Sequence, residues 1–341
     1  MHSSFFRAAA LALAAVAIGA VPALAAPPET HNPAGHMRGV VHAHNQAKVR
    51  RPASNNLSWH GGPVQHASQV YAIYWSPSNF PGAAGFSSGY DTTMGQYFTD
   101  LAHDVTGQST ETTANVYFNG TQYNDTGTTA KNYFPVSVAN AIYDSTPAAA
   151  GTSCRDSYTP AGCVTDQQIE SEVSTVVNQN GLPTGMGVEY FVFTPKGLGS
   201  CDGGSCSFSY WCAYHSNFQA TSGGPQILYS NMPYANTIPA ACGSGQSPNG
   251  PSGSGPADAD STINLVSHEH NETITDPLGT AWWDRVGNED GDKCAWNFGS
   301  ASGSTSFGAY NQTINGSRYF LQQEWSNAAG GGVGGCVLTG T

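Results

Sequence analysis

Residues 267–277 have the residue types and the spacing of a metal-binding helix. His268 and Glu272 are four positions apart, and on an α-helix that spacing places both side chains on one face. Glu269, beside His268, could then act as a general base on a water bound to the same metal. The order H-E-x-x-E differs from the zinc-peptidase helix H-E-x-x-H in its last residue only.

An acidic turn after this helix supplies candidates for a third ligand. Asp292 lies twenty residues after Glu272, and Glu289 in the same turn is the alternative third ligand. A helix pair followed by an acidic ligand at that distance resembles the ligand order of thermolysin-like peptidases. The competing interpretation is a solvated polar helix face followed by an acidic turn.

The ligand set also bears on the choice of metal. One histidine and two carboxylates bring two negative charges, whereas the two histidines and one glutamate of the usual peptidase bring one. A more neutralised zinc ion polarises its water less, and oxygen-rich ligands suit harder ions. We therefore expect zinc, with calcium or manganese as alternatives, and the prediction of a metal is stronger than that of a peptidase.

The surrounding sequence predicts where the metal-binding helix begins and ends. Asp258, Asp260 and Ser261 are candidate N-caps. Pro277 blocks extension, so Asp276 should lie at or beyond the last turn. The Gly, Ser and Pro content of residues 243–256 predicts a mobile surface loop that could line the cleft.

The N-terminal residues have the pattern of an export signal. Arg7 precedes an apolar run at residues 8–20, and residues 23–25 form an A-x-A cleavage site, so residues 1–25 are a predicted signal peptide. No later apolar run is long enough for a membrane helix, and we expect a secreted, extracellular protein. Residues 26–56 have little apolar content and are expected to be a flexible leader or propeptide, in which His42 and His44 could bind a metal loosely.

The eight cysteines indicate disulfides, because an exported chain meets an oxidising compartment. We expect neighbours to pair: Cys154 with Cys163, Cys201 with Cys206, Cys212 with Cys242, and Cys294 with Cys336. The last pair would hold the acidic turn in place. A zinc site at Cys201 and Cys206 is the alternative for that pair.

Composition and periodicity predict one globular domain over residues 57–341. A net charge of −12 argues against nucleic-acid binding. Apolar residues at helical spacing predict helices near residues 94–105 and 166–177, the second ended by Asn180 and Gly181. Residues 70–75, 190–193, 227–229 and 319–321 read as strands. Strands and helices alternate, which predicts an α/β or α+β fold with a mixed sheet.

Several blocks together resemble the exordium, or phosphate-induced, family of secreted proteins. They are L-S-W-H-G-G at residues 57–62, W-C-A-Y-H at 211–215, residues 267–277 with A-W-W at 281–283, the acidic turn at 288–294, and Y-F-L-Q at 319–322 with Cys336. The family is known best from plant cell walls, and this sequence departs from it in two ways. Asp276 stands where the plant proteins tend to have Asn, and the stretch between the helix and the acidic turn is shorter here. The resemblance implies a cell-wall-associated role in growth signalling, without a firmly assigned activity.

Three further histidines have different expected roles, and the resemblance bears on the first of them. His215 could be a fourth metal ligand or a catalytic group that steadies a reaction intermediate, and a buried structural histidine is the alternative. His60 is expected to be structural. His270 should point away from the face of His268 and Glu272, toward solvent.

Two functional hypotheses follow. In the first, the protein is a secreted zinc-dependent hydrolase, a metallopeptidase that binds its metal with His268, Glu272 and Asp292 and uses Glu269 as base. In the second, it is a non-catalytic extracellular binding or signalling protein with a closed structural metal site, and exposed Trp282 and Trp283 contact a wall polysaccharide. Under both hypotheses we expect a monomer that binds a peptide or a cell-wall substrate. We expect no nucleic-acid partner, and no membrane association once the signal peptide has been cleaved.

Overall fold

The computed structural model describes six stretches of the chain, which contain all the elements named below. These stretches are residues 37–47, 56–105, 122–128, 136–150, 153–250 and 258–338. The predicted signal peptide at residues 1–25 lies outside them. Residues 31–341 group into one compact unit.

Helices and short strands alternate along the described residues. The α-helices are α1 (His44–Ala47), α2 (Tyr90–Val105), α3 (Asp166–Asn180), α4 (Pro239–Cys242), α5 (Asp260–Thr275) and α6 (Ala329–Gly332). The strands are β1 (Arg38–His42), β2 (Ser58–Trp59), β3 (Ser68–Trp75), β4 (Val136–Val138), β5 (Ile142–Asp144), β6 (Cys163–Thr165), β7 (Val188–Phe193), β8 (Gly199–Asp202), β9 (Ser205–Cys206), β10 (Trp211–Phe218), β11 (Ile227–Met232), β12 (Trp282–Trp283), β13 (Gly303–Ser304), β14 (Ala309–Tyr310), β15 (Gln312–Ile314), β16 (Ser317–Tyr319), β17 (Glu324–Ser326) and β18 (Gly335–Val337). Short 3-10 turns lie at Ala235–Thr237 and Asp292–Cys294.

A seven-stranded mixed sheet forms the centre of the fold, as predicted. Its order is β1-β10-β11-β7-β3-β4, with β5 also paired to β3. The pairs β11–β7, β7–β3, β3–β4 and β3–β5 are parallel, whereas β1 and β10 run antiparallel to their neighbours. Small two- and three-stranded sheets carry the remaining strands.

Both faces of this sheet are covered, which explains the apolar runs in its central strands. Val70, Ala72 and Tyr74 of β3 pack in one core with residues of α2 and α5. The alternate residues Tyr71 and Ile73 pack in a second core with α3. Alternation of side chains along a strand therefore separates two apolar layers, and α5 lies on the side of α2.

The predicted elements differ from the structure mainly at their ends. The strands expected at residues 70–75, 190–193 and 227–229 belong to β3, β7 and β11. The strand expected at residues 319–321 is wrong beyond Tyr319, where β16 ends. The described part of the expected mobile loop, residues 243–250, is mostly buried, because Asn249 donates to Asp260 and to the Arg318 carbonyl.

The expectation of a flexible leader over residues 26–56 is wrong for its described part. Arg38–His42 forms the edge strand β1, in register with β10 from Arg38 opposite His215 to His42 opposite Trp211. Val40 and Val41 are buried in the two cores. Two apolar residues in a short strand are enough when an existing sheet edge supplies the backbone partners.

All four expected disulfides are present. Cys154 is bonded to Cys163, Cys201 to Cys206, Cys212 to Cys242, and Cys294 to Cys336. The alternative zinc site at Cys201 and Cys206 is therefore wrong. Among the described residues, no helix is both long enough and apolar enough to cross a membrane.

Candidate metal centre

Helix α5 is buried along its whole length although most of its residues are polar. All sixteen residues are buried, and only Ile263, Leu265, Val266 and Ile274 are apolar. The helix ends at Thr275 with Asp276 as C-cap, as expected from Pro277. Its N-cap is Ala259, without a side-chain cap, so the expected caps at Asp258, Asp260 and Ser261 are wrong. Asp258 instead accepts hydrogen bonds from Tyr234 and Asn236.

The first predicted ligand group converges as expected. His268 Nε2 lies 3.0 Å from Glu272 Oε1 and 3.9 Å from Asp292 Oδ1. Ligand atoms of these three residues all lie within 4.8 Å of one another. His268 Nε2 makes no hydrogen bond within the described residues. Its short distance to Glu272 therefore needs another explanation than a hydrogen bond. Tetrahedral ligands about 2.0–2.1 Å from a zinc ion would be separated by about 3.3 Å.

A second ligand group shares Glu272 with the first. His215, fully buried on β10, has Nδ1 3.7 Å from Glu272 Oε2 and Nε2 3.8 Å from Glu289 Oε2. Ligand atoms of His215, Glu272 and Glu289 also lie within 4.8 Å of one another. His215 Nδ1 is hydrogen-bonded to Glu269 Oε2 at 3.3 Å. The sheet, rather than α5, therefore supplies the second imidazole.

The acidic turn is held against α5 by its own backbone. The Asp292 N–H donates to Glu272 Oε1 at 2.8 Å, and the Glu289 N–H donates to Asp292 Oδ2 at 3.2 Å. A Cβ at Gly291 would lie 2.8 Å from both Glu272 Oε1 and His268 Nδ1, so the close approach requires glycine. The Cys294–Cys336 disulfide ties the end of this turn to β18.

Gln322 orients the first imidazole. Its Nε2 atom lies 2.8 Å from His268 Nδ1 and donates to the Gly291 carbonyl at 3.0 Å. Its own N–H donates to Asn264 Oδ1 on α5 at 2.7 Å. An amide nitrogen can only donate, so His268 Nδ1 accepts this hydrogen bond. The contact fixes the position of the ring, but it differs from the usual arrangement, in which a metal-bound histidine donates from its other nitrogen.

The site concentrates acid groups away from water. Burial, followed by the charge of Glu272, raises the pKa of Glu269 well above its usual value. Burial and then Asp276 and Glu272 raise the pKa of Glu289 in the same way. Burial, followed by the charge of Arg38, lowers the pKa of His215 to about 3, which keeps the imidazole neutral and able to ligate. A cation among these groups would reverse the shifts of the carboxyls.

Two more acids extend this cluster beyond the predicted ligands. Burial raises the pKa of Asp290 to about 7, and burial with Asp290 as neighbour raises that of Glu324 well above its usual value. Both side chains are fully buried. Buried carboxyls without cations are held as neutral acids, so the cluster is suited to take up positive charge.

The donor atoms fit a divalent metal ion. Both oxygens of Glu289 are buried without a hydrogen bond in the described part of the chain, as is His268 Nε2. Leaving such polar atoms buried and unpaired costs free energy that a bound ion would offset. Imidazole nitrogen with carboxylate oxygen suits zinc or manganese better than calcium, which takes oxygen ligands.

Strand β1 lies directly over this group of ligands. A Cβ at Gly39, where φ is +35°, would lie 2.1 Å from Glu272 Oε2 and 2.3 Å from His215 Cε1. The backbone N–H of Val41 donates to the Glu269 carboxylate. Arg38 faces Asp276 and Glu289, whose charges act against the lowering of its pKa by burial. The first residues of the domain thus close the site.

Several sequence-based expectations about neighbouring residues are wrong. His270 is buried, not at the surface, because its Nδ1 atom pairs with Glu189 Oε2 at 2.7 Å. Trp282 is buried, since its Nε1 donates to the Asn124 carbonyl, and Trp283 is half-buried and stacked on His60. Among the described residues, no group of three or more metal-type ligands includes His42 or His44, and the loose site at these two histidines stays a prediction.

The sequence alone missed the groups that surround the ligands. Glu189, Arg38 and Gly39 were not singled out, and Gln322 appeared only inside the block Y-F-L-Q. Comparisons with protein-family models, with curated proteins and with solved structures return no match for this chain.

Proposed function

We propose that the protein is a secreted metal-dependent hydrolase that acts on peptides. The convergence of His268 and Glu272, on a fully buried helix, with Asp292 of the acidic turn carries the proposal, since their ligand atoms lie within 4.8 Å of one another. A polar cluster of this size inside a fold is destabilising unless its members are paired or hold an ion. The predicted order of these ligands along the chain is that of a zinc peptidase, with zinc as the expected metal and manganese as the alternative.

The residues around this group supply the remaining chemistry. A divalent ion held by His268, Glu272 and Asp292 would act as a Lewis acid and lower the pKa of its bound water. Glu269 would accept the proton of that water and return it to the leaving amine. His215, hydrogen-bonded to Glu269, keeps the base in place. Gln322 holds His268 through Nδ1.

Strand β1 must move before a substrate can reach these residues. It packs on Glu272, His215 and Glu269, three residues of the proposed reaction centre. This arrangement supports the interpretation of residues 26–56 as a propeptide. Peptide hydrolysis should therefore be measured both for the chain that starts at Ala26 and for a chain that starts at Leu57.

A comparison of two variants tests the hydrolase. Glu269→Gln preserves the shape of the base and removes its charge, so it should retain the metal and lose about a hundred- to ten-thousand-fold of turnover. His268→Ala should lose the ion held by His268, Glu272 and Asp292, together with stability and activity. Turnover is measured on a peptide library, with bound metal determined by elemental analysis. Activity of Glu269→Gln equal to the parent, or no activity in either chain length, would reject the proposal.

A non-catalytic binding protein with a closed metal site is the second candidate. The observation that favours it is that the side chains of His268, Glu272, His215 and Glu289 are all buried among the described residues. A closed site has no coordination position for an added ligand. Cobalt-substituted protein distinguishes the two, since a hydroxamate should change its visible spectrum only if a position is open.

The location and family remain part of this proposal. Four disulfides suit an oxidising compartment outside the cell. The resemblance to the exordium family suggests a cell-wall setting and supports the second candidate as much as the first. N-terminal sequencing of the exported protein should begin at Ala26. A retained residue 1–25 segment would contradict the export signal.

A further inference from the structure

We propose that this centre holds two divalent ions bridged by the carboxylate of Glu272. The inference rests on the proposed metal-dependent function and extends its ligand set. We call His268, Glu272 and Asp292 site 1, and His215, Glu272 and Glu289 site 2. Glu272 Oε1 lies 3.0 Å from His268 Nε2, whereas Glu272 Oε2 lies 3.7 Å from Nδ1 of the His215 ring. The two oxygens of one carboxylate thus face two different imidazoles.

Each site has the size of a metal site, and each contains its own histidine. Within each group, the ligand atoms all lie within 4.8 Å of one another. His215 and His268 come from different elements, β10 and α5, so their approach to one carboxylate is produced by the tertiary fold. A bridging carboxylate is a common arrangement when two ions lie about 3.5–4 Å apart.

The atoms left over by a single ion indicate the second position. An ion in site 1 would use His268 Nε2 but would leave both Glu289 oxygens without a hydrogen bond, fully buried. It would also leave His215 Nε2, 3.8 Å from Glu289 Oε2, without a hydrogen bond in the described residues. Buried polar atoms without a hydrogen-bond partner are rare in native proteins. An ion in site 2 would engage all of them.

The hydrogen bond of His215 directs the correct nitrogen to site 2. Nδ1 lies within hydrogen-bond distance of Glu269 Oε2 at 3.3 Å, and once a cation ionises Glu269 its carboxylate can only accept the proton there. The neutral ring then has its lone pair on Nε2, the atom nearer to Glu289. A carboxylate behind a histidine ligand is the usual second contact in metal sites. Glu269 thus positions His215 in addition to its proposed role as base.

Charge balance points the same way. Glu269, Glu272, Glu289 and Asp292 together have four negative charges when ionised. One divalent ion neutralises half of this charge, and two ions neutralise all of it. The charge of Arg38 acts on Asp276 as well as on Glu289, so it is shared with an acid outside this set. A second ion would therefore offset the charge that one ion leaves on these four carboxylates.

Metal stoichiometry tests the inference without any activity measurement. The chain that starts at Ala26 is stripped of metal with a chelator, loaded with zinc or manganese(II), and desalted. Its metal content is then measured by elemental analysis and native mass spectrometry. We expect two ions per chain. Manganese-loaded protein should also show the electron paramagnetic resonance signal of two exchange-coupled ions, which needs no variant and so avoids any folding defect.

Variants then assign each ion to its site. Glu289→Gln and His215→Gln should each retain one ion and lose the coupled signal, and His268→Gln should also retain one. Glu272→Gln should abolish the coupling, because it removes the bridge. His270→Gln is the matched control, since His270 is a buried histidine of the same helix paired with Glu189 outside both sites. It should keep two ions.

The outcomes separate this inference from the proposed function. One ion per chain with an uncoupled manganese signal would overturn the second ion and leave the hydrolase proposal intact. No tightly bound ion would overturn both. Two ions that persist in Glu289→Gln and His215→Gln would place the second ion elsewhere and reject site 2.

Discussion

Two helices of nearly equal length, α3 and α5, use polar residues in opposite ways. Helix α3 has fifteen residues, buries Ile169, Val173, Val176 and Val177 against the sheet, and exposes its last three residues. Helix α5 has sixteen residues, four of them apolar, and buries every one. Most polar residues of α3 are exposed or half-buried, with Asp166, Gln168 and Glu172 as the buried exceptions, whereas every polar residue of α5 must find a partner inside the protein.

The partners of α5 come from distant parts of the chain. Asn264 accepts the Gln322 N–H, and His270 pairs with Glu189 on β7. His268, Glu269 and Glu272 meet the acidic turn, β10 and β1. A polar helix can be buried completely only where the fold brings such groups to it, and this requirement marks α5 as the functional helix of the pair.

Removal of the shared carboxylate should give the largest difference between the helices. Glu272→Ala deletes the contacts to His268 and to the Asp292 N–H and leaves other buried charges unpaired. We expect metal-loaded protein to lose its ions and about 3–5 kcal/mol of unfolding free energy. Chemical denaturation and elemental analysis measure both.

The matched control is Gln167→Ala on the exposed face of α3, which should change stability by at most about 0.5 kcal/mol. Equal stability losses in the two variants would remove the distinction between the helices. If the Glu272→Ala variant retained its metal, Glu272 would not be a metal ligand.

A disulfide lies beside each helix, and the two should differ in effect. Cys154–Cys163 ends in β6 just before α3 and spans 9 residues, whereas Cys294–Cys336 anchors the acidic turn beside α5 and spans 42. Chain entropy predicts losses of about 2.5 and about 4 kcal/mol for replacement of each pair by alanine. Only the second replacement should also weaken metal binding, as isothermal titration calorimetry would show. Equal metal affinity in both variants would argue that the turn is held without its disulfide.

A glycine contacts each helix, and the surroundings of the two differ. Gly181 caps α3 at φ +59° with nothing within 4 Å of a new Cβ, whereas Gly39 packs on α5 ligands. Gly181→Ala should cost about 1 kcal/mol from backbone strain alone. Gly39→Ala adds a collision with Glu272 and His215, and we expect about 2–4 kcal/mol or release of β1. Hydrogen exchange of residues 38–42 distinguishes these results, and a stable, protected Gly39→Ala would contradict the close packing of β1.

Sequence patterns within a few tens of residues predicted the elements of this fold that short-range interactions determine. The position of α5 followed from its apolar residues and Pro277, and the disulfides followed from the proximity of neighbouring cysteines. Strand β1 could not be predicted in this way, because its pairing with β10 joins residues as far apart as Arg38 and His215. The burial of His270 was missed for the same reason, since its partner Glu189 lies on another element. His268, Glu272 and Asp292 converged as predicted, whereas the sharing of Glu272 needed the tertiary structure.

Helix α3 has one acid group whose burial gives a small, pH-dependent effect. Burial, followed by the charge of Asp144, raises the pKa of Glu172 to about 8 from an ordinary value of 4.5. Between these values the folded state binds more protons than the unfolded chain, so stability falls as pH rises and then levels off above about pH 8. Glu172→Gln removes this loss. We expect the variant to match the parent near pH 4.5 and to be about 1–2 kcal/mol more stable at pH 9. Urea denaturation across this range measures the difference, and parallel stability profiles would show that Glu172 stays ionised in the folded protein.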